Sequence, residues 1–328
     1  MLRRLMLMSA FGLAFAGRAF AAEGEAFTDP AQAGPDFAVQ GEYQGELKAP
    51  DQAEPMKVGA QVIAQGDSKF HGVFCFGGLP GDGWERGAPQ IEADGTTEDG
   101  KITFLGDSGS AVIEGGKMKI LDPAGAELAV LEKVERKSPT LGAKPPADAK
   151  VLFDGTNTDA WKVGRLKDDL LQAGAMTKDD FGDFTLHLEF RNPYMPKASG
   201  QGRGNSGLYL QNRYECQILD SFGLEGKDNE CGGFYQIKGP SVNMCLPPLA
   251  WQTYDVDFTA AKFEGDKKIS NAKVTVTHNG VKVHDNFELP NLTPGGAPTE
   301  APGKGPFLLQ FHGNPVTFRN IWVVEKKS

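Results

Sequence analysis

Apolar and polar residues alternate with a period of two along most of this chain, and no stretch sustains the 3.6-residue repeat of an amphipathic helix. Between residues 37 and 136 the strand-like segments are FAVQGEYQGEL, KVGAQVIAQG, KFHGVFCFGG, KITFLGD, SAVIEGGKMKIL and ELAVLEKV. Each is bounded by Gly, Asp or Pro, which predicts a small β-meander or barrel-like module. GGLPGDGW (77–84) lacks the strand-to-helix setting of a phosphate loop and reads as a turn. Residues 137–150, containing SPTLGAKPPADAK, carry Pro-Pro and no apolar period, and read as a linker. From 151 to 327 alternation resumes in DFTLHLEFRN, GNSGLYLQ, YECQILDS, GGFYQIK, QTYDVDFTAAKF, AKVTVTHNGVKVHD, PFLLQFHG and VTFRNIWVVE. So many short strands in one run predict a single β-sandwich. The fold class is therefore all-β, and NLTPGGAPTEAPGKG (291–305) is a long loop, either mobile or the lip of a site.

Composition narrows the function. The 328 residues carry a net charge of −9 and no basic stripe, which argues against nucleic acid as a partner. At the N-terminus, Arg3-Arg4 precede the apolar run LMLMSAFGLAFAG, and Ala19-Phe20-Ala21 offers a small-x-small cleavage site. Residues 1–21 are thus expected to be a signal peptide, cut after Ala21 or Ala22, with the mature protein periplasmic or extracellular and free of the membrane. A membrane anchor is the alternative, but the apolar run is shorter than the roughly 20 residues a span needs. Export permits disulfides. Of Cys75, Cys216, Cys231 and Cys245, the pair Cys231 and Cys245 flanks a Gly/Pro-rich loop and is the best candidate for one, while Cys216 alternates as a small core residue. Without a C-x-x-C pair there is no zinc signature.

The candidate chemistry lies on polar strand faces. In 186–191 Leu186, Leu188 and Phe190 alternate with His187, Glu189 and Arg191. Asn205, Tyr209, Gln211, Glu215 and Gln217 form the polar set of 205–217, and Gln310 and His312 share one side of 307–312. An ordinary wet sheet face is usually rich in Lys, Thr and Glu. Amides, Tyr, His and Arg are instead the groups that hydrogen-bond sugar hydroxyls in planar fashion. Set together, these segments would floor a groove. Several neighbours have plainer readings. Asp220 suits a turn cap, Arg319 a partner for an acid, Trp251 packing and His278 a solvated hairpin end. Trp161 fits a loop clasp or a sugar platform, and Tyr235 a loop edge or the groove.

Together with FGDFTLHLEFR, the strings RGNSGLYLQ, YECQILDS, CGGFYQI, THNGVKV and LLQFHGNPVTFRNIWV resemble the 3-keto-disaccharide hydrolase domain family, over roughly 150–327. The resemblance implies a concanavalin-A-like jelly roll acting on an oligosaccharide or 3-keto-glycoside. A ketone at C3 acidifies the C2 hydrogen. A base can remove it, the enolate expels the glycosidic oxygen from C1, and water adds back. His312 fits the base, with Glu215 as rival, while Arg191, Asn205, Tyr209, Gln211, Gln217, Tyr235 and Gln310 would hold the sugar. No cofactor is assigned; if a divalent metal serves instead, Glu215, His312, His187 and Glu189 are the available ligands. A direct glycosidase using Glu215 and Glu189, or a lectin-like module without chemistry, are the competing readings.

Overall fold

The computed structural model describes residues 24–48 and 54–327, so the expected signal peptide, 1–21, lies outside the described residues. The first module is a closed antiparallel barrel of eight strands. In chain order they are Gly41–Leu47, Met56–Gly66, Lys69–Phe76, Gln90–Glu98, Lys101–Gly106, Gly109–Glu114, Lys117–Leu121 and Glu127–Val134. Strand Gly41–Leu47 closes the barrel by pairing with both Met56–Gly66 and Glu127–Val134. Closure removes the unpaired edges that a meander would leave. Inward alternation gathers Tyr43, Val58, Ala60, Val62, Phe70, Phe104 and Met118 into one buried cluster.

The second module is a two-layer sandwich. Its large sheet orders Leu166–Lys167, Leu170–Gln172, Thr317–Glu325, Phe184–Arg191, Gln252–Thr259, Ala272–His278 and Val281–Leu289, with Lys150–Phe153 also on Thr317–Glu325. Its small sheet orders Ala175–Met176, Leu308–Leu309, Ser206–Leu210 and Tyr214–Ile218. Leu186, Leu188 and Phe190 of the large sheet meet Leu208, Leu210, Tyr214, Cys216 and Ile218 of the small one in a single core. Since side chains alternate across a strand, His187, Glu189 and Arg191 lie on the outer face of the large sheet. Glu215 and Gln217 lie on the outer face of the small sheet.

The modules are packed together. Ile63, Val73 and Cys75 turn outward from the barrel and join the sandwich core. The Arg86 guanidinium donates to the carbonyls of Glu225, Gly226, Pro240 and Ser241 at 2.8–3.1 Å. Between the modules, 138–143 is laid across the outer face of the large sheet. The Ser138 and Thr140 hydroxyls bond that of Thr253 at 2.6 and 3.0 Å, and Thr140 donates to Asp255 at 2.6 Å.

Two sequence expectations change here. All four cysteines are buried free thiols, so Cys231 and Cys245 are not bridged. His278 is buried, not solvated, and bonds Gln252 Oε1 at 3.0 Å; burial pushes its pKa down to about 3. Trp161 is a clasp: buried, it donates its indole N–H to Leu152 O at 2.9 Å. No helix among the described residues is long and apolar enough to cross a membrane.

Candidate active site

Strands Ser206–Leu210 and Tyr214–Ile218 form a hairpin whose turn places Gln211 and Asn212 in left-handed backbone, φ 54° and 55°. The pairing sets Tyr209 opposite Glu215 and Gly207 opposite Gln217 on the outer face. Glu215 leans over Gly207, where a β-carbon would stand 2.2 Å from its Oε1. Glycine is needed there to make room for the carboxyl group. The strand edge is then extended by 308–314: Gln310 N–H donates to Gly207 O at 2.9 Å, Ser206 Oγ to Gln310 O at 2.6 Å, and Asn205 N–H to Asn314 Oδ1 at 2.7 Å. This suspends half-buried His312 beside the Asn205–Gly207 end of the hairpin.

Loops roof this face. The 291–305 segment packs over Tyr209 and Glu215. Thr293 Oγ1 accepts from Glu215 N–H at 2.7 Å, and Pro294 O accepts from the Tyr209 hydroxyl at 2.7 Å. Gly295 and Gly296 lie so close to Tyr209 that a β-carbon on either would stand 2.5 and 2.9 Å from it. On the other side Tyr235 N–H reaches Glu215 O at 3.4 Å, and Gly233 O accepts from Gln217 N–H at 2.8 Å. Glu215 is 3 % exposed as a result. Burial pushes its carboxyl up to about 7, against a smaller opposing effect of the Tyr209 hydroxyl beside it.

The amides around it are only partly satisfied. Asn205 Nδ2 donates to Gln201 O and Oε1 at 2.8 and 3.1 Å, and Gln217 Nε2 to Gln201 Oε1 at 3.0 Å. Both carbonyl oxygens, Asn205 Oδ1 and Gln217 Oε1, are buried without a partner. Gln310 Nε2 meets the Tyr209 hydroxyl at 3.3 Å. Such orphaned acceptors are uncommon in folded proteins and suit hydroxyl donors from a ligand. Alternation does not reveal Gln201, Thr293, Gly295 and Gly296, because they sit in loops without periodicity.

The structure brings together Asn205, Tyr209, Glu215, Gln217, Tyr235, Gln310 and His312, and leaves the other predicted residues apart. Gln211 turns away, donating to Phe181 O at 2.8 Å and accepting from Arg213 at 2.9 Å. Arg191 lies on the opposite outer face, 4.9 Å from the Trp251 ring, which Arg319 covers at 4.0 Å. His187 and Glu189 are on that face too. The four side chains named for a metal are therefore split between two faces, and among the described residues no three His, Cys, Asp or Glu side chains are grouped to hold an ion.

On that second face Glu189 and His187 are enclosed by partners. Glu189 accepts from Arg319 and from Gly142 N–H, both at 2.6 Å, and from Asn320 at 2.9 Å. His187 Nδ1 bonds Asp255 at 2.6 Å, and its ring stacks on Trp322 at 5.1 Å. Burial alone would raise the Glu189 carboxyl, but hydrogen bonds from His187, Asn320, Arg319 and Gly142 hold it down at about 2. Asp220 pairs with Arg203 at 2.6 Å.

The model of the 3-keto-alpha-glucoside-1,2-lyase-like domain matches residues 148–324. Among solved structures, a candidate glycosyl hydrolase from Parabacteroides distasonis is 33 % identical, with a TM-score of 0.50 over 55 % of this chain and 85 % of its own. A second candidate glycosyl hydrolase from the same organism is 17 % identical, with a TM-score of 0.40 over 55 % of this chain and 94 % of its own. No curated protein matches the chain. With more than half of its length inside the family match, and the roofed polar hairpin within that span, the chain belongs to the 3-keto-alpha-glucoside-1,2-lyase-like domain family.

Proposed function

We propose that the sandwich cleaves the glycosidic bond of 3-keto-glycosides, with Glu215 as the base. That the domain is carbohydrate-active follows from its family. One observation carries the finer reading: a carboxyl group raised to about 7 by burial, on the same hairpin face as two unpartnered amide oxygens. A base with a pKa near the working pH is the most effective at removing a weakly acidic proton. Glu215 takes the C2 hydrogen as a proton, and the C–H electrons pass into the C3 ketone as an enolate. The enolate re-forms the ketone, a C1–C2 double bond appears, and the C1–oxygen bond breaks. We assign to His312 the proton that the departing oxygen takes up. Water then adds at C1 and a proton returns to C2, so the net change is hydrolysis. Asn205 Oδ1 and Gln217 Oε1 accept from sugar hydroxyls, and half-buried Gln310 and Tyr235 line the approach.

Direct hydrolysis would need two carboxylates about 5–10 Å apart across the bond. Glu189, the second candidate, lies on the other outer face, so the elimination route is the better fit. The test offers the purified protein a 3-keto-glucoside in deuterated water. Release of the aglycone with deuterium at C2, lost together in Glu215→Gln, is expected. Release without C2 exchange, or an unimpaired Glu215→Gln enzyme, would overturn the assignment. Sugar affinity without turnover in the wild type would favour the lectin-like reading.

A further inference from the structure

The barrel contains a cavity of about 560 Å³ at the end where Leu47, Phe76, Gly106 and Leu121 finish their strands. It lies outside residues 148–324, so the family assignment does not cover it. Val73 and Cys75 turn out toward the sandwich, so their strand neighbours Phe74 and Phe76 turn into the lumen. Ile91 pairs with Phe74 and shares its side. These are core-facing positions by register, yet Ile91 is 41 % exposed and Phe74, Phe76 and Ile120 are only half-buried. The other end is filled: Tyr43, Phe70 and Met118 are at most 1 % exposed.

The cavity has a built floor. The Phe104 ring lies over Gly95 and Gly72, where a β-carbon would stand 2.5 and 3.0 Å from it. Phe74 meets Phe104 edge-on at 5.7 Å and 79°. Two glycines thus let one ring plug the lumen, leaving an apolar chamber above it. Asp107 and Ser108 stand at the mouth, no Lys or Arg is in the lining, and Glu92, opposite Val73, turns its carboxylate outward to His71. A ligand carboxylate or phosphate would therefore meet like charge and no counter-ion.

We propose that this chamber is a binding site for a neutral, largely apolar small molecule, its body against Phe74, Phe104 and Ile120 and any hydroxyl toward Ser108 at the mouth. The volume suits a compound of drug-like size, and eight-stranded barrels are wide enough to hold one small ligand. Each buried methylene would contribute about 0.8 kcal/mol.

The experiment titrates the full chain with neutral N-phenyl-1-naphthylamine, following its fluorescence, and repeats the titration with laurate as competitor. One saturable site with a dissociation constant of about 1–10 µM is expected, with laurate competing poorly. Ala93→Trp, which fills the chamber from a half-buried inward position, should weaken binding by about tenfold or more. Ile91→Lys at the mouth supplies a cation and should make laurate a competitor by a similar factor. Ile91 is exposed enough that this variant keeps the question open to test if Ala93→Trp fails to fold. The absence of a saturable site in the wild type would overturn the proposal, whether the lumen is inaccessible or filled by the chain itself. Unchanged binding in both variants would overturn it equally.

Discussion

The two outer faces of the sandwich carry nearly the same residue types and opposite electrostatics. On the large sheet Glu189 is surrounded by donors from Arg319, Asn320 and the backbone of Gly142, and its carboxyl is held at about 2. On the small sheet Glu215 is equally removed from water but has little beyond Tyr209 to favour its charge, and its carboxyl rises to about 7. Burial alone therefore does not mark a functional carboxylate. What separates the two is whether the surrounding donors are complete. Around Glu189 the donors close a network, whereas near Glu215 the acceptors Asn205 Oδ1 and Gln217 Oε1 have no partner.

The largest expected effect breaks that comparison at its centre. Glu215→Gln should lower turnover of a 3-keto-glucoside by about 10³-fold or more, a loss of roughly 4 kcal/mol of transition-state stabilisation, with the circular dichroism spectrum unchanged. Glu189→Gln should do the reverse. It leaves Arg319 without its anion and should cost roughly 2–3 kcal/mol in chemical denaturation, while turnover per folded molecule stays within about twofold. Equal losses of turnover in the two variants would erase the distinction.

Stability against pH gives the comparison a sign. Glu215 has a folded pKa of about 7, above its ordinary 4.5. Its contribution is therefore most favourable below 4.5 and declines as pH rises through about 7, by up to roughly 3 kcal/mol. Glu189 runs the other way: folded at about 2 against 4.5, it stabilises above 4.5 and loses that effect as pH falls toward 2. Denaturation midpoints of Glu215→Gln and wild type should converge at pH 4 and separate at pH 8, with the variant more stable. The smallest effect is expected from Tyr209→Phe. Losing the hydroxyl that favours the Glu215 carboxylate should move the rising limb of the pH–rate profile upward by less than about one pH unit. A downward move would reverse the role given to Tyr209.

Much of this was legible in the sequence, and the part that was not has a clear physical reason. Alternation of Leu186, Leu188 and Phe190, and of Leu208 and Leu210, correctly marks which side chains enter the core. A period of two distinguishes inside from outside, but a sandwich has two outsides. His187 and Glu215 look alike by that measure and lie on opposite ones. The sorting depends on long-range pairing, such as Glu189 opposite Arg319 and Leu208 opposite Leu309, which no local pattern contains. Loop residues escaped for the same cause. Gln201 bridges Asn205 and Gln217 from a short 3₁₀ turn, and Thr293 holds Glu215 from the roof, with no repeat to announce either.

The strap at 138–143 reaches beyond the architecture that contains it. It precedes the family match, which begins at 148, yet Gly142 N–H and Ala143 O complete the Glu189–Asn320 network, and Thr140 tethers Asp255. The unit that folds is thus longer than the unit that is recognisable by descent. A chain started at 148 would keep every residue of the candidate active site but strip the opposite sheet of its cover, leaving Glu189, Asp255 and Trp322 open to water. Relatives joined to a different leading module would need to bring an equivalent strap, or a large sheet repainted for solvent.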